Sequence, residues 1–270
     1  MGKLYIVPTP IGNLGDITLR SLEVLKNVDV IFSEDTRNTL ALLNHFNINK
    51  KLISYHKDNE LKASENIIQH VLSGETVALV SDAGTPCISD PGNIVVRKMN
   101  DLGIPVEVLP GATAFVPAVV RSGFPTERIF FCGFLPSKNR ERRDFLNYLR
   151  DNVFASIVFY EAPHRIKATL RELLMVFDPP VAVVRELSKM YETLYFIQNE
   201  SSLDDIVEKG EFVIVVNNNI VKYVEKGDAE LVDFIFRLKE EDFSNQDIIK
   251  ILKAFGVKRN RAYKLVVERD

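Results

Sequence analysis

The sequence predicts a two-lobed α/β protein. The first lobe is a mostly parallel, doubly wound sheet, the second an α/β lobe with a mixed sheet, and a small helical module closes the chain. Three observations carry this. Strand-like apolar runs alternate with helical patterns over the first 110 residues. The stretch PGATAFVPAVVRSGFP at 110–125 interrupts that rhythm with prolines and glycines before a second α/β set begins. From about Val221 only short amphipathic helical patterns remain. The expected boundaries are 1–115, 116–222 and 223–270.

The strand candidates of the first lobe are Leu4–Pro8, Val28–Phe32, Lys51–Tyr55, Thr76–Ser81 and Ile104–Leu109. Their hydrophobicity is continuous rather than alternating, which marks strands buried on both faces of a parallel sheet. Between them, Leu19, Leu22, Leu25 and Val28 recur at one-turn spacing, with Asp16 as the expected N-cap. Leu61, Ile68, Val71 and Leu72 form a second stripe, closed by Gly74. The apolar helix within 110–125 is read as a junction between lobes. Second-lobe strands are expected at Ile129–Leu135, Ser156–Tyr160, Val181–Arg185, Thr193–Ile197 and Glu211–Val216, with helices at Lys138–Arg150 and Arg165–Phe177. The link between Val181–Arg185 and Thr193–Ile197 is too short for a helical crossover, so this sheet is expected to be mixed. In the tail, Leu231, Phe234, Ile235 and Leu238 mark one helix. Ser244 caps a second at Gln246–Phe255, and Gly256 precedes a third at Arg261–Glu268. Two short helices around a glycine turn suggest a helix-turn-helix, or simply a helical appendage.

Of the 270 residues 46% are hydrophobic and 26% charged, which excludes disordered and collagen-like classes. No window approaches the ~18 apolar residues of a membrane span, and the N-terminus lacks a signal-peptide layout. Cys87 and Cys132 are too few for a zinc site or a disulfide framework, so free thiols and a reducing, cytoplasmic setting are expected. A net charge of −3 leaves room only for a local basic face toward nucleic acid.

Ligands of doubly wound sheets sit beyond the carboxyl ends of the strands, so the loops that follow the strands are the candidate ligand loops. Pro8–Asp16 follows the first strand. Gly12, Gly15 and Glu34 imitate parts of a dinucleotide fingerprint, but Pro8 and Pro10 lack the N–H donors that cradle a pyrophosphate. Ser33–Arg37 follows the second strand and carries two adjacent carboxylates and an arginine, as a polar cluster or as an N-cap with solvent charges. Ser81–Gly92, SDAGTPCISDPG, is long for a βα connection and rich in small residues, which lets a ligand lie against backbone. Asp82 supplies an acceptor suited to ribose hydroxyls or an ammonium group. Pro110–Ala114, Phe159–Arg165 and Arg185–Lys189 complete a cleft suited to a positively charged, adenosine-sized ligand. No GxxxxGK[ST] or GxSxG is present, and no histidines show metal-ligand spacing, so no metal site is expected.

TPIGNLGDITLR, SEDTR, SDAGTPCISDPG, LPGATA, FYEAPHR and RELSK occur in this order. The set resembles the tetrapyrrole methylase superfamily, and within it the branch that methylates the ribose 2′-oxygen of a cytidine in 16S ribosomal RNA. The likeness covers residues 4 to about 217. It implies two α/β lobes with S-adenosyl-L-methionine between them, a homodimer, and 16S rRNA or the small ribosomal subunit as partner. By motif position the cofactor would touch Pro10, Asp82, Ala83, Gly84, Ile88, Thr113, Ala114, Tyr160 and Leu187. Ala112-Thr113 departs from the proline-serine common in relatives, and Cys87 would make the pocket oxidation-sensitive.

Methyl transfer to a ribose hydroxyl asks for placement in a dry cleft and for a base. The candidates are Glu34, Asp35 and Glu161, with Asp35 foremost, while Lys189 could lower the hydroxyl's pKa by proximity. Arg20, Arg37, Lys138, Arg140, Arg142 and Arg143 are candidate phosphate contacts, as are Lys258, Arg259 and Arg261 in the tail. Two other readings compete: a tetrapyrrole or diphthamide-type methyltransferase, and a ligand-sensing helix-turn-helix nucleic-acid-binding protein.

Overall fold

The computed structural model describes residues 2–219, 228–241, 243–254, 257 and 259–267. The backbone divides into two units, Met1–Asn219 and Ile220–Asp270. The first unit holds two five-stranded sheets.

The first sheet contains β1 (Lys3–Ile6), β2 (Val30–Ser33), β3 (Lys51–Ser54), β4 (Thr76–Val80) and β5 (Val106–Val108), in spatial order β3-β2-β4-β1-β5. Every pairing is parallel. Four helices connect these strands: α1 (Leu19–Asn27), α2 (Thr36–His45), α3 (Glu60–Leu72) and α4 (Asn93–Asp101). Strand residues alternate between the two faces, so two cores form. Leu4, Ile6, Phe32 and Leu79 pack with Ile67, Val71 and Met99 of α3 and α4. Ile31, Ala78 and Val80 pack on the other face with Leu25 and Leu43 of α1 and α2.

That layering places the site. β1 and β4 are neighbours, yet the chain leaves β1 toward α1 and leaves β4 toward α4, on opposite faces. The two loops diverge and open a crevice at the carboxyl ends of the strands, the topological switch point.

The second sheet holds β6 (Ile129–Phe134), β7 (Ser156–Glu161), β8 (Val181–Arg185), β9 (Thr193–Ile197) and β10 (Phe212–Asn217), in order β6-β7-β10-β8-β9. β6 and β7 are parallel and joined by α6 (Asn139–Asn152), and the other pairings are antiparallel, giving the mixed sheet expected. One face packs on α6 and α7 (Ile166–Val176) through Leu146, Leu149, Leu170 and Leu173. The other packs on the junction helix α5 (Phe115–Ser122) through Ala118 and Val119.

The second unit contains α8 (Asp228–Glu240), α9 (Asn245–Ala254) and α10 (Arg259–Val267) around Leu231, Ile235, Ile248, Leu252, Ala262 and Val266. Ser244 caps α9 as expected, its hydroxyl accepting from Asp247 N at 3.2 Å. Gly256, the expected turn residue, lies outside the described residues.

The expectation that Asp16 caps α1 is corrected. Asn13 caps a single 3-10 turn at Leu14–Asp16, and Thr18 is the α1 cap, accepting from Ser21 N at 3.0 Å. Asp16 is thereby turned toward the second lobe.

Candidate functional site

Three loops of the first lobe meet at the switch point. Thr9 and Gly84 exchange backbone hydrogen bonds at 2.9 Å in each direction, tying the loop after β1 to the loop after β4. Thr85 Oγ1 donates to Ala112 O at 2.9 Å, tying the β4 loop to the loop after β5. Gly111 lies directly against the ring of buried Pro8, an approach only a residue without Cβ can make.

Second-lobe residues close the crevice. The Lys189 stem lies over Gly12, where an added Cβ would fall 2.7 Å from Lys189 Cε. Ser188 Oγ donates to Asp16. Ser89 Oγ faces Gly133 of β6. The result is a cleft of about 680 Å³ lined by Ile11 and Asp16, by Gly111–Thr113, by the outer face of α5, and by Leu187, Ser188 and Glu192. That is within the usual ~300–1,000 Å³ of a ligand pocket.

Of the expected cofactor contacts, Thr113 and Leu187 line this cleft. Pro10, Asp82, Ala83, Gly84 and Ile88 are not among its lining residues: Pro10 and Gly84 are buried, and Asp82, Ala83 and Ile88 are exposed on the loop after β4. Ala114 and Tyr160 pack in the apolar layer beneath α5. Thr113 Oγ1 is sealed from solvent, and no hydrogen bond of regular geometry ends on it. The Tyr160 phenol is its polar neighbour.

The carboxylates fall into distinct environments. Asp35 caps α2, accepting from Arg37 N at 2.9 Å and from Arg37 Nε at 3.0 Å. The hydrogen bonds from Arg37 hold its carboxyl down at about 2, so the foremost candidate base is a weak one. The Asp82 carboxylate accepts from Asp35 N and from Asn38 Nδ2, each at 3.0 Å. Glu34 is pushed up by burial and by Asp82. Asp90, which the sequence reading passed over, is pushed up to about 6 by burial, Glu34 and Asp82. Its only sequence signal was its place in a loop already singled out.

Three expectations are corrected here. Glu161 has a fully buried side chain, accepts from Thr169 Oγ1 at 2.6 Å and from Ala162 N at 2.8 Å, and pairs with Arg165 at 3.2 Å. It points into the α7 side of the sheet, away from the cleft, and is not a base for a ligand there. Lys189 is held by Glu186 and Glu211, both at 3.0 Å. Burial pulls the ammonium down, but these two hydrogen bonds outweigh it and leave Lys189 raised, a structural cation spanning two strands' ends. Cys87 and Cys132 are free thiols, as expected. Burial pushes Cys87 up to about 11, however, so it carries little of the thiolate that oxidation requires.

Among the candidate phosphate contacts, Arg142 is also corrected. It is 6% exposed and bonds Glu172 through Nε at 2.8 Å and through a terminal nitrogen at 2.6 Å. Its remaining donors meet Pro136 O, Ser137 O and Asn139 Oδ1. It clamps α6 to α7 and has no donor left for RNA. Arg20, Arg37, Lys138 and Arg140 are exposed and paired with Glu107, Asp35, Glu141 and Asp144 respectively. Arg143 is exposed on α6 and Arg261 half-exposed on α10. Lys258 and the Arg259 side chain lie outside the described residues.

A family model described as Tetrapyrrole (Corrin/Porphyrin) Methylases matches residues 3–204. Ribosomal RNA small subunit methyltransferase I of Escherichia coli O157:H7 is 39% identical over 276 residues, covering 100% of this chain and 96% of that protein. The protein of the same description from Buchnera aphidicola subsp. Acyrthosiphon pisum is 37% identical, with coverage of 100% and 98%. Among solved structures, uroporphyrin-III C-methyltransferase from Thermus thermophilus complexed with S-adenosylhomocysteine superposes with a TM-score of 0.55 at 22% identity, covering 80% of this chain and 98% of that one. Diphthine synthase gives 0.61 at 12% identity, with 80% and 90% covered. At such identities the superpositions carry the fold alone.

Proposed function

The chain belongs to the tetrapyrrole methylase family, and from that membership we propose that it methylates the ribose 2′-oxygen of a cytidine in 16S rRNA as a homodimer in the cytoplasm. It is an S-adenosylmethionine-dependent methyltransferase of small-subunit ribosomal RNA. The observation that carries the reading is the cleft that residues of both lobes, Thr113 and Leu187 among them, line.

The residues present fit the methyl donor. The cleft is large enough and mostly apolar where Ile11, Val116 and Leu187 face it. The Thr113 side chain lines it beside the Tyr160 phenol. The carboxylates of Glu34, Asp82 and Asp90 gather in the loops after β2 and β4, at the carboxyl ends of the strands, where they suit a cation and disfavour phosphate. Pro10, Asp82, Ala83, Gly84, Ile88, Thr113, Ala114, Tyr160 and Leu187 are the residues proposed to hold it. When bound, the donor supplies an activated methyl group. The protein's part is to fix the acceptor oxygen in line with it and to keep water out.

RNA is proposed to be met by exposed cations, Arg20, Arg37, Lys138, Arg140 and Arg143. Their pairs lie at the surface, where such contacts are worth ~0–1 kcal/mol, so a phosphate can replace the carboxylate partner.

The test is methyl transfer by the purified chain to 30S subunits, to naked 16S rRNA and to a tetrapyrrole, followed by nucleoside mass analysis. A 2′-O-methylcytidine from ribosomal substrate is expected. Transfer to the tetrapyrrole alone overturns the reading, and a methylated base in place of the ribose overturns its finer part. Light scattering of the purified chain reads the homodimer directly.

A further inference from the structure

We propose that Asp16 is the general base of the transfer, the group that takes the proton from the acceptor hydroxyl. This rests on the reading of the acceptor as a ribose hydroxyl.

Asp16 stands in the cleft itself. Two carboxylates are among the lining residues, Asp16 from the first lobe and Glu192 from the second. Glu192 is engaged on both sides: one oxygen accepts from Ser188 N at 2.8 Å, and the other lies 3.7 Å from Arg121 Nε. Asp16 has one partner among the described residues, the Ser188 hydroxyl, which donates to Oδ2 from across the cleft. Its other oxygen, Oδ1, is bonded by no described residue, and Asp16 is exposed. An acceptor hydroxyl entering the cleft therefore meets an open carboxylate oxygen there.

The local fold has no need of this carboxylate. Asn13, Asp16 and Thr18 are all good N-cap residues. Asn13 caps the 3-10 turn by accepting from Gly15 N at 3.0 Å, and Thr18 caps α1. Asp16, between them, caps nothing, and its own N–H donates to Asn13 O at 3.0 Å. The turn it ends carries its side chain across to Ser188 of the second lobe.

The loop that bears Asp16 is braced from two directions. Thr9 is bridged to Gly84, and the Lys189 stem lies over Gly12. The stem is held there because the Lys189 ammonium is tied to Glu186 and Glu211. Gly210 leaves room for that arrangement, since a Cβ at its position would fall 2.4 Å from Glu186 Oε1. A catalytic group fixed against the bound reactant in this way needs no ordering at the moment of reaction. Ser188 serves both halves of a proton transfer. A hydroxyl donates to a carboxylate and accepts from a carboxylic acid, so it supports Asp16 before and after the proton arrives.

The remaining candidates fail on position. Glu34, Asp35, Asp82 and Asp90 belong to the loops after β2 and β4 and do not line the cleft. Glu161 is sealed against Thr169 and Arg165, and Lys189 is held between its two glutamates.

The step balances. As the acceptor oxygen takes the methyl group from the sulfonium, its O–H bond breaks and the proton passes to a carboxylate oxygen of Asp16. The electrons of the broken S–C bond stay on sulfur, leaving a neutral thioether. Asp16 then returns its proton to solvent.

The experiment compares wild type, Asp16→Asn, Asp16→Glu, Ser188→Ala and Glu192→Gln in single-turnover transfer to ribosomal substrate at saturating S-adenosylmethionine. Titration calorimetry gives the Kd of the donor, and scanning calorimetry shows that each variant is folded. An asparagine still accepts from Ser188, so Asp16→Asn keeps the contact between the lobes and loses only the proton acceptor. Ser188→Ala does the reverse. Asp16→Asn should be slower by ~10²–10⁴-fold, with Asp16→Glu recovering part of the rate. Its Kd should change by about fivefold at most, the ceiling for an exposed charge pair. Ser188→Ala should be slower by only ~2–10-fold, the worth of one neutral hydrogen bond. A saturated rate that holds in Asp16→Asn overturns the proposal, and a raised Kd beside it would make Asp16 a contact of the donor. An equal loss in Ser188→Ala overturns it too, reducing the pair to a latch between the lobes, as does a loss that falls on Glu192→Gln instead. A methylated base in the product would overturn the ribose reading instead, whatever Asp16→Asn does.

Discussion

Gly111→Ala is the sharpest perturbation the cleft offers. Gly111 sits in the loop after β5, and a methyl group added there would fall 2.7 Å from Pro8 Cγ and nearer still to Cβ. Ordinary contact begins at 3.4 Å. A long side chain would swing away, but Pro8 is a closed ring buried at the end of β1, so backbone has to move. Overpacking of this kind costs ~1–3 kcal/mol. For a chain of this size each kcal/mol lowers Tm by ~2–4 °C, giving a loss of ~2–12 °C. The segment that moves carries Thr113, so binding should suffer as well. If half of the strain is relieved by withdrawing that loop, S-adenosylmethionine affinity falls by ~2–12-fold, the equivalent of ~0.5–1.5 kcal/mol. Scanning calorimetry reads the first quantity and titration calorimetry the second. A variant that melts and binds like wild type would refute the claim that the loops after β1 and β5 are held in fixed contact.

Two further outcomes are expected. Thr113→Val removes a hydroxyl that lies in the cleft wall beside the Tyr160 phenol, so the Kd for S-adenosylmethionine should grow by roughly 2–10-fold, the worth of one neutral hydrogen bond; an unchanged Kd would show that no ligand atom meets Oγ1. Arg142→Met breaks the α6–α7 clamp and should cost ~2–4 kcal/mol, somewhat under the usual figure for a fully buried pair because Glu172 is 22% exposed, with RNA affinity unaltered. The hydrogen bond from Arg142 holds Glu172 below its ordinary 4.5. Its stabilisation is therefore present above pH 4.5 and lost as pH falls through the lowered value, and the variant's acid-unfolding curve should be flatter in that range. Equal acid sensitivity in the two proteins would refute this.

Strand positions were legible because β-branched runs buried on both faces carry no competing pattern: Val30–Ser33, Thr76–Val80 and Val181–Arg185 each fall within a residue or two of the sequence reading. The α1 cap was misplaced because Asp16 and Thr18 are both good caps, and the choice rests on a 3-10 turn whose Asn13 cap is a local detail. The loops that build the site could be read from their small residues. The partners of individual charges could not, since they come from distant sequence. Arg142 looked like one more cation in a charged helix until Glu172 met it from α7. Asp35 and Asp90 are the same residue type in two marked loops. An arginine two residues along holds the first down, whereas burial and the carboxylates of Glu34 and Asp82, brought together by tertiary folding, push the second up.

The interior position of β1 has a consequence for how the chain is made. Lys3–Ile6 is synthesised long before its hydrogen-bonding partners Thr76–Leu79 and Val106–Val108. At ~5–20 residues per second β1 waits several seconds for its first neighbour. Throughout that wait an apolar strand has two open edges, a template for pairing with other nascent chains. Pulse-labelled intermediates arrested before residue 76 should bind holdase chaperones, and those extended past residue 108 should release them.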